Sequence, residues 1–367
     1  MTTQILAASS DEVVLAAAAT EAGLLDRART QVHVGPDDDL GAVAASLPDP
    51  GSDVELVVGT SALRLGRELT RRWTDARVVL LAGGAAAYGP TPRALGGRLA
   101  RRTDRVLHLD PVPGLHPLLL AGRPATVHAV PLEHVRAVTA ALSGPPPVPD
   151  PTTLVLGRTA AWTGALDLDQ QTSVLVAMVS RCAEAGHSRI VLLLDDEPGA
   201  RARKHLARAA AATRAELDLV VDAGPVAAWF ALDGVRLVVG CADEELLVAR
   251  HVYGHRVAQL DTEVVLRRYD PFADVRRTGA SLVEATVPDL RSWTVHPEGE
   301  APGPHDLAGL VGTVAYAMEP ELLADRRAAV IDWLETHPKT RRRFVRRRRL
   351  TELRLPGGKR SVRAVLR

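Results

Sequence analysis

The sequence has few of the residues that mark secreted, thiol-ligated or membrane-spanning proteins. It contains two cysteines, Cys182 and Cys241, which cannot build a disulfide framework and which suit a reducing compartment. Neither belongs to a C-x-x-C pair, so a thiol-bound metal site is not expected. No stretch approaches the roughly 18 apolar residues of a membrane-spanning helix, and no basic region precedes an apolar stretch as in a signal peptide. We therefore expect a cytoplasmic protein.

Aromatic residues are also scarce, at 3% of the chain. The hydrophobic content of 46% is nevertheless that of a globular protein and excludes wholesale disorder. The net charge of +1 conceals a separation of charge. Residues 339–367 carry 13 basic side chains and one acid, Glu352, whereas the remaining 338 residues sum to −11. The chain is thus an acidic body with a basic C-terminal segment.

Short apolar runs alternate with helical patterns on both sides of a proline-rich stretch, which predicts a linker because proline breaks helices and central strands. Runs such as 190–194 are apolar at every position, which is typical of strands buried in a parallel sheet. The pattern predicts α/β domains with doubly wound sheets. The predicted segments are a first domain 1–143, the linker 144–152, a second domain 153–305, helices packing back over 306–338 and a basic tail 339–367. The predicted strands are 4–7, 31–34, 54–58, 77–82 and 105–109, then 153–156, 189–194, 217–221, 235–239 and 256–260.

Loops that follow strands are the candidate sites, because open α/β sheets bind ligands at the carboxyl ends of their strands, here facing a cleft between two domains. The usual phosphate motifs are absent: no G-x-G-x-x-G follows a strand, and Gly357-Gly358-Lys359 lacks the spacing of a P-loop. Gly59-Thr60-Ser61 resembles half of a nucleophile elbow without its closing glycine, so a hydrolase is not favoured.

Gly83 and Gly84 follow the predicted strand 77–82. Their lack of side chains would let a ligand approach the backbone, with Tyr88 available to stack or hydrogen-bond. A glycine-rich turn before a helix is the other interpretation. No carboxylate lies between Asp75 and Asp104, so this loop itself cannot supply a general base.

Two acidic loops follow later strands: Asp195-Asp196-Glu197-Pro198 and Asp243-Glu244-Glu245. Acids and proline are typical of a helix N-terminus, where they complement the dipole. The alternative is a divalent-metal site in which Asp195 and Asp243 converge at the sheet edge. The sequence leaves both interpretations open.

Several short motifs follow one another in a fixed order along nearly the whole chain. They are Thr3–Ser9, Tyr88-Gly89-Pro90-Thr91, Leu107–Leu115, Val155-Leu156-Gly157-Arg158, Val239-Gly240-Cys241, Tyr253-Gly254 and Tyr269-Asp270-Pro271-Phe272. In this order and spacing they resemble the bacterial polysialyltransferase family of glycosyltransferases. The resemblance implies a GT-B-type fold: two Rossmann-like, doubly wound domains facing a cleft, with a helical C-terminal segment. It also implies CMP-sialic acid as donor substrate and no further cofactor.

The family resemblance assigns residues to each side of that cleft. The acceptor-side loop is implied at Gly83, Gly84, Tyr88 and Thr91. Donor binding is implied at Gly157, Arg158, Asp196, Glu197, Gly240, Asp243, Glu244 and Tyr253.

Three motifs of the family are altered here. Its general base, an acid before glycine, falls at Gly83, so no catalytic residue is assigned. Its His-Pro falls within Asp195–Pro198, and its hydroxyl pair falls at Ala242–Glu244. Carboxylates there would repel the donor phosphate by roughly 4 kcal/mol at about 4 Å and an effective dielectric near 20. The resemblance therefore predicts a sialyltransferase-like protein with impaired or lost catalysis, and a non-catalytic scaffold is the alternative.

The basic tail is the most extreme local feature. Its arginines are Arg341, Arg342, Arg343, Arg346, Arg347, Arg348 and Arg349. Their charge predicts peripheral binding to the anionic inner leaflet of the membrane. Nucleic acid is less favoured, because only Phe344 interleaves with the arginines as a stacking surface. Solvated charge without a partner is the third interpretation.

Overall fold

A computed structural model of the chain describes residues 3–8, 10–25, 30–33, 54–142, 145–158, 162, 164–292 and 306–359, with the backbone alone for 3–8, 10–11, 30–33 and 54. Gly144 of the predicted linker and the last eight residues of the basic tail lie outside these ranges. By their contacts the residues divide into two compact units. The first comprises Met1–Pro146 and Gly224–Ala231, and the second Pro147–Ala223 and Leu232–Arg367.

The first unit contains a six-stranded parallel sheet in the order β2-β1-β3-β4-β5-β6. Its strands are β1 (Thr3–Ala8), β2 (Thr30–His33), β3 (Val54–Gly59), β4 (Arg77–Ala82), β5 (Thr103–His108) and β6 (Thr126–Ala129). Its helices include α1 (Ser10–Glu21), α2 (Leu63–Arg72), α3 (Gly96–Arg102) and α4 (Leu132–Ala141).

The core of the first unit covers both faces of this sheet. On one face, alternate residues of β3 and β4 such as Val58 and Leu80 pack against Leu69 of α2 and Leu99 of α3. The intervening residues, such as Leu81, are also fully buried. Burial at every position is what the unbroken apolar runs of the sequence predict for a parallel sheet.

The second unit contains a five-stranded parallel sheet in the order β11-β10-β7-β8-β9. Its strands are β7 (Thr152–Gly157), β8 (Arg189–Leu194), β9 (Glu216–Val221), β10 (Val235–Gly240) and β11 (Arg256–Gln259). The helices of this half are α5 (Leu168–Glu184), α6 (Ala200–Ala211), α7 (Val226–Phe230), α8 (Glu245–His251), α9 (Thr262–Arg268), α10 (Arg277–Thr286), α11 (Leu307–Met318), α12 (Arg327–Thr336), α13 (Arg341–Phe344) and α14 (Arg347–Glu352). Of these, α7 groups with the first unit.

Two separate parallel sheets confirm the predicted α/β class with doubly wound domains. Every predicted strand lies within two residues of an observed one. The sequence does not predict β6, because all four of its residues are exposed and form no apolar run. Residues 306–359 group with the second unit, and the packing of their helices across the first domain stays a prediction. Across the described ranges, every helix is too short or too polar to traverse a membrane.

Candidate functional site

The strand order of the first sheet places its topological switch point between β1 and β3. From β1 the chain proceeds to β2 on one side, and from β3 it proceeds to β4 on the other. The carboxyl ends of two such strands leave the crevice in which α/β proteins bind ligands. The start of α1 and the turn Thr60–Ala62 follow these two ends. This edge is the candidate site of the first unit.

Glu12 lies in the first turn of α1, and its side chain reaches the end of β3. Only 4% of the residue is exposed. Its Oε1 accepts hydrogen bonds from the Thr60 hydroxyl at 2.9 Å and from the Ser61 N–H at 3.0 Å. Its Oε2 accepts a further bond from the Ser61 hydroxyl. These bonds satisfy a carboxylate that would be costly to bury alone, and they connect it to Ser61, which is exposed.

Glycines at the ends of two strands leave room for this carboxylate. A Cβ at Gly59 would lie 2.0 Å from Glu12 Oε2, and a Cβ at Gly83 would lie 3.7 Å from Glu12 Cγ. Glu12 therefore lies over the ends of β3 and β4. The next residue, Gly84, has a φ of +50°, which favours glycine. In the family that the sequence resembles, an acidic residue occupies the position of Gly83. This chain has no acid there, but the fold places the carboxylate of Glu12, from α1, beside that position.

The side chains of Tyr88 and Thr91, both predicted in the acceptor-side loop, form internal hydrogen bonds. Tyr88 is fully buried and donates to Asp110 Oδ1, while the Val112 N–H donates to the Tyr88 oxygen at 3.3 Å. Burial, together with the Asp110 hydrogen bond, raises the pKa of Tyr88 above its usual value, so the phenol stays neutral. The Leu120 N–H donates to Thr91 Oγ1 at 2.9 Å. Both residues hold the loop in its conformation.

His108 ends β5 beside the ring of Tyr88, at a centroid distance of 6.5 Å and in edge-to-face geometry. It is 5% exposed, and its Nδ1 lies 2.9 Å from the Leu109 carbonyl, to which it donates. Burial lowers the pKa of His108. The imidazole is therefore neutral at pH 7 and adds no positive charge to this edge.

The second sheet has its switch point between β7 and β10. Gly157 and Gly240 end these strands, and Arg158 follows β7. A Cβ at Gly157 would lie 2.8 to 2.9 Å from the side chains of Leu175, Leu192 and Leu194. Gly157 is therefore required for packing at this strand end, whether or not a ligand binds there.

Arg158 places a cation at this second switch point. Its Nε donates to Asp195 Oδ1 at 3.0 Å, which joins the ends of β7 and β8. Asp196 and Glu197 are exposed, and Glu197 pairs with Arg203 of α6. The acids of this loop do not begin α6 as the helix N-terminus interpretation predicts, because the N-cap is Gly199 and the first turn of α6 contains no acid.

Asp243 lies at the start of α8, as its interpretation as part of a helix N-terminus predicts. It is 7% exposed, and its Oδ1 accepts from the Glu245 N–H at 3.1 Å. Asp195 follows β8, which is separated from β10 by β7, so the two strand ends lie about 10 Å apart. Within the part of the chain that the structure describes, no group of three or more His, Cys, Asp or Glu residues is placed to hold a metal ion.

The structure separates Tyr253 from the other predicted donor-binding residues. Tyr253 follows α8 and stacks on His255 at a centroid distance of 6.5 Å. Because α8 returns the chain from the carboxyl end of β10 to the start of β11, Tyr253 lies at the opposite edge of the sheet. Trp162, which no sequence pattern indicates, lies near the switch point, where its Nε1 donates to the Cys241 carbonyl at 2.7 Å.

Residues 341–355 of the basic tail fold with the second unit and bury Phe344, Val345 and Leu350. Four arginines of the tail bind internal groups. Arg341 donates to the Leu334 carbonyl at 2.8 Å, Arg346 to the Tyr269 carbonyl at 2.6 Å and Arg349 to the Ala317 carbonyl at 2.7 Å, and Arg343 pairs with Glu284.

The three carbonyls belong to helix C-termini, where cationic side chains are stabilising. The contact of the seven tail arginines with lipid stays a prediction. Arg342, Arg343, Arg347 and Arg348 are exposed, but Arg343 pairs with the buried Glu284, and Arg348 pairs with Glu352 at the surface. Arg342, Arg347 and Arg348 are therefore the arginines of the run best placed for an external partner.

No protein-family model matches the sequence, and no curated protein matches it. Among solved structures, the chain is similar to a UDP-glucosyltransferase from Polygonum tinctorium (12% identity, 92% of this chain and 94% of that chain, TM-score 0.43). It is also similar to a UDP-GlcNAc 2-epimerase from Methanocaldococcus jannaschii (10% identity, 84% of this chain and 97% of that chain, TM-score 0.41). A third similar structure is MurG from Acinetobacter baumannii (11% identity, 88% of this chain and 92% of that chain, TM-score 0.40).

Proposed function

We propose that this chain is a glycosyltransferase that uses a nucleotide-activated sugar, and that Glu12 accepts the proton of the acceptor hydroxyl. The observation that carries the proposal is the Glu12 carboxylate at the switch point of the first sheet, beside Gly83. The family resemblance supports it, because an acid at Gly83 is the family's general base.

Ser61 gives the buried carboxylate a route to an acceptor. In transfer, the acceptor oxygen attacks the anomeric carbon, the bond to the donor phosphate breaks, and the acceptor proton must leave. Ser61 is exposed and already donates to Glu12. Its oxygen takes the acceptor proton while its own proton passes to Glu12, so the proton ends on Glu12 and the electron pair on the nucleotide phosphate.

In this proposal, the sugar donor binds at the carboxyl ends of the strands of the second unit. Arg158 offers a guanidinium to a phosphate at the switch point between β7 and β10, where a phosphate is expected to bind. The donor that the resemblance names is CMP-sialic acid, and no cofactor is required beyond it. Asp243 and Glu244 stand where the family has hydroxyls, so we expect weak donor binding and transfer slower than is typical of the family.

Anionic lipid at the inner face of the membrane is the proposed second partner. The exposed arginines Arg342, Arg347 and Arg348 support this contact. At about 1 kcal/mol for each basic residue near an anionic surface, they would contribute about 3 kcal/mol to a weak, reversible association.

Calorimetric titration with CMP, CMP-sialic acid, UDP-glucose and UDP-N-acetylglucosamine tests the donor half of the proposal. We expect at least one of these ligands to bind, and Arg158→Gln to weaken its binding about tenfold or more, because a charge-assisted contact to phosphate is lost. The matched control is Arg181→Gln, which removes an exposed arginine of α5 paired with Glu184. Absence of binding for all four ligands would overturn the proposal.

A further inference from the structure

A cavity of about 330 Å³ lies between α2 and α3 of the first unit, formed by helices and not by strand ends. Its eight lining residues include Arg67, Arg71, Arg98, Leu95, Gly96 and Leu99. Three of these eight residues are arginines, and none is acidic. The lining therefore combines positive charge with apolar side chains.

Arg67 is the arginine most closely built into this cavity. Its Nε is buried and has no hydrogen-bond partner among the described residues. A Cβ at Gly96 would lie 3.1 Å from Arg67 Cδ, so a glycine at this position leaves room for the arginine side chain. A buried N–H without a partner is unfavourable, and a ligand oxygen in the cavity would satisfy it.

The surroundings of the cavity reinforce its positive charge. Residues 63–102 contain nine arginines and only two acids, Glu68 and Asp75, although the body of the protein is acidic overall. Glu68 pairs with Arg71, but their side chains are 42% and 60% exposed, so solvent screens the pair strongly. This local excess of positive charge favours the binding of an anionic ligand and disfavours that of a cation.

We propose that this cavity binds the phosphate group of a small phosphate monoester through Arg67 and Arg98. The planar guanidinium fork matches the oxygen spacing of a phosphate and donates two parallel hydrogen bonds. The volume falls within the range of about 300 to 1,000 Å³ typical of small-molecule sites and exceeds what a phosphate group alone would fill. Leu95 and Leu99 then contact the organic part of the ligand. This site is independent of Glu12 and of the proposed donor site.

Isothermal titration of the full chain with ribose 5-phosphate, with inorganic phosphate and with uncharged ribose tests this inference. We expect saturable binding of ribose 5-phosphate, weaker binding of inorganic phosphate, no binding of ribose, and loss of affinity as salt rises from 50 to 500 mM. Arg67→Gln and Arg98→Gln should each lower the affinity about tenfold or more. The control Arg201→Gln, an exposed arginine of α6 in the second unit, should leave it unchanged.

A second arm distinguishes a soluble ligand from a lipid headgroup with the same chemistry. Vesicles containing phosphatidic acid, which is itself a phosphate monoester, are compared with vesicles of phosphatidylserine at equal surface charge. Preference for phosphatidic acid that disappears in Arg67→Gln identifies the lipid as the source of the phosphate. The proposal is wrong if ribose 5-phosphate does not bind and phosphatidic acid is not preferred over phosphatidylserine, or if Arg67→Gln and Arg98→Gln bind as the wild type does. Thermal unfolding of each variant without ligand verifies that it is folded.

Discussion

The Ser61 hydroxyl donates a hydrogen bond to the carboxylate of Glu12, which lies 49 residues earlier in the chain. This bond joins the first turn of α1 to the residues that follow β3, so it links the two strands that flank the switch point of the first sheet. One partner is buried and the other is exposed. In the proposed transfer, this single hydroxyl connects the buried carboxylate with a ligand at the surface.

Two glycine substitutions test whether the position of the Glu12 side chain controls the rate of transfer. Gly59→Ala should displace the Glu12 side chain, because the added Cβ would lie 2.0 Å from its Oε2. The atom that must move ends a flexible side chain, so we expect a loss of only about 1 to 2 kcal/mol in unfolding free energy, from the lost hydrogen bonds. Gly83→Ala should be tolerated, since its Cβ would meet Glu12 Cγ at 3.7 Å, an ordinary contact. Equal transfer rates for the two variants would contradict this account of Glu12.

Glu284 should make the second unit less stable as pH rises. Burial raises the pKa of Glu284 from 4.5 to about 7, although the ion pair with Arg343 opposes this shift. A group whose pKa is higher in the folded state contributes stability below its unfolded pKa, and that stability is lost as pH rises through the folded pKa. We expect unfolding free energy to fall between about pH 4.5 and 7, by on the order of 3 kcal/mol.

Glu284→Gln should remove this pH dependence and exceed the wild type in stability above pH 7. Urea unfolding at pH 5, 6, 7 and 8 measures both effects. Glu335→Gln, at an exposed position of α12, serves as the control and should keep the slope of the wild type. The same slope in Glu284→Gln would show that another group titrates.

Arg277 should be intolerant of lysine. The residue is 1% exposed, and its guanidinium donates to the carbonyls of Leu266, Tyr269 and Phe272 at 2.8 to 3.0 Å. The ammonium of lysine lacks the planar fork that reaches all three oxygens. Arg277→Lys should therefore lower the unfolding free energy by about 3 kcal/mol.

The matched substitution for Arg277→Lys is Arg267→Lys. Arg267 is 66% exposed and pairs with Glu263 on the surface of α9. We expect its replacement to change stability by less than about 0.5 kcal/mol. Chemical unfolding of both variants under one condition measures the difference, and similar losses would contradict the structural role of Arg277.

The exposed arginines of the tail should affect lipid binding, whereas the folded part of the tail should affect stability. Replacing Arg342, Arg347 and Arg348 together by Gln should abolish binding to anionic vesicles without lowering the melting temperature. Truncation after residue 338 should destabilise the second unit, because it removes the buried side chains of Phe344, Val345 and Leu350. Vesicle co-sedimentation and thermal unfolding measure the two effects. Vesicle binding by the triple variant equal to that of the wild type would exclude the proposed lipid contact.

The strands could be predicted because buried parallel strands leave a local signal. The run at 190–194 is apolar at every position, and the structure buries all of it in β8. Strand β6 gives no such signal, since its exposed residues Thr126–Ala129 are not selected for apolarity. The class of fold can thus be predicted from the sequence, whereas an exposed edge strand such as β6 cannot.

Glu12 could not be found from the sequence, because an acid in the first turn of a helix is ordinary. Its role depends on the parallel pairing of β1 with β3, which brings residues 49 positions apart into contact. The turn Gly59-Thr60-Ser61 after a strand was the available signal. The internal contacts of the tail could not be predicted for a related reason: charge can be counted in the sequence, but the helix C-termini that hold Arg346 and Arg349 appear only in the fold.

The most direct test of the account is the rate at which purified full-length protein transfers labelled sugar from a nucleotide-activated donor to a glycan acceptor. CMP-sialic acid is the first donor to use, followed by any nucleotide sugar that binds in calorimetry. We expect slow transfer by the wild type and by Glu21→Gln, an exposed acid of the same helix. Glu12→Gln, which keeps the shape of the side chain but not its basicity, should be slower by about 100-fold or more. No transfer by the wild type with any donor that binds, or equal rates for Glu12→Gln and the wild type, would contradict it.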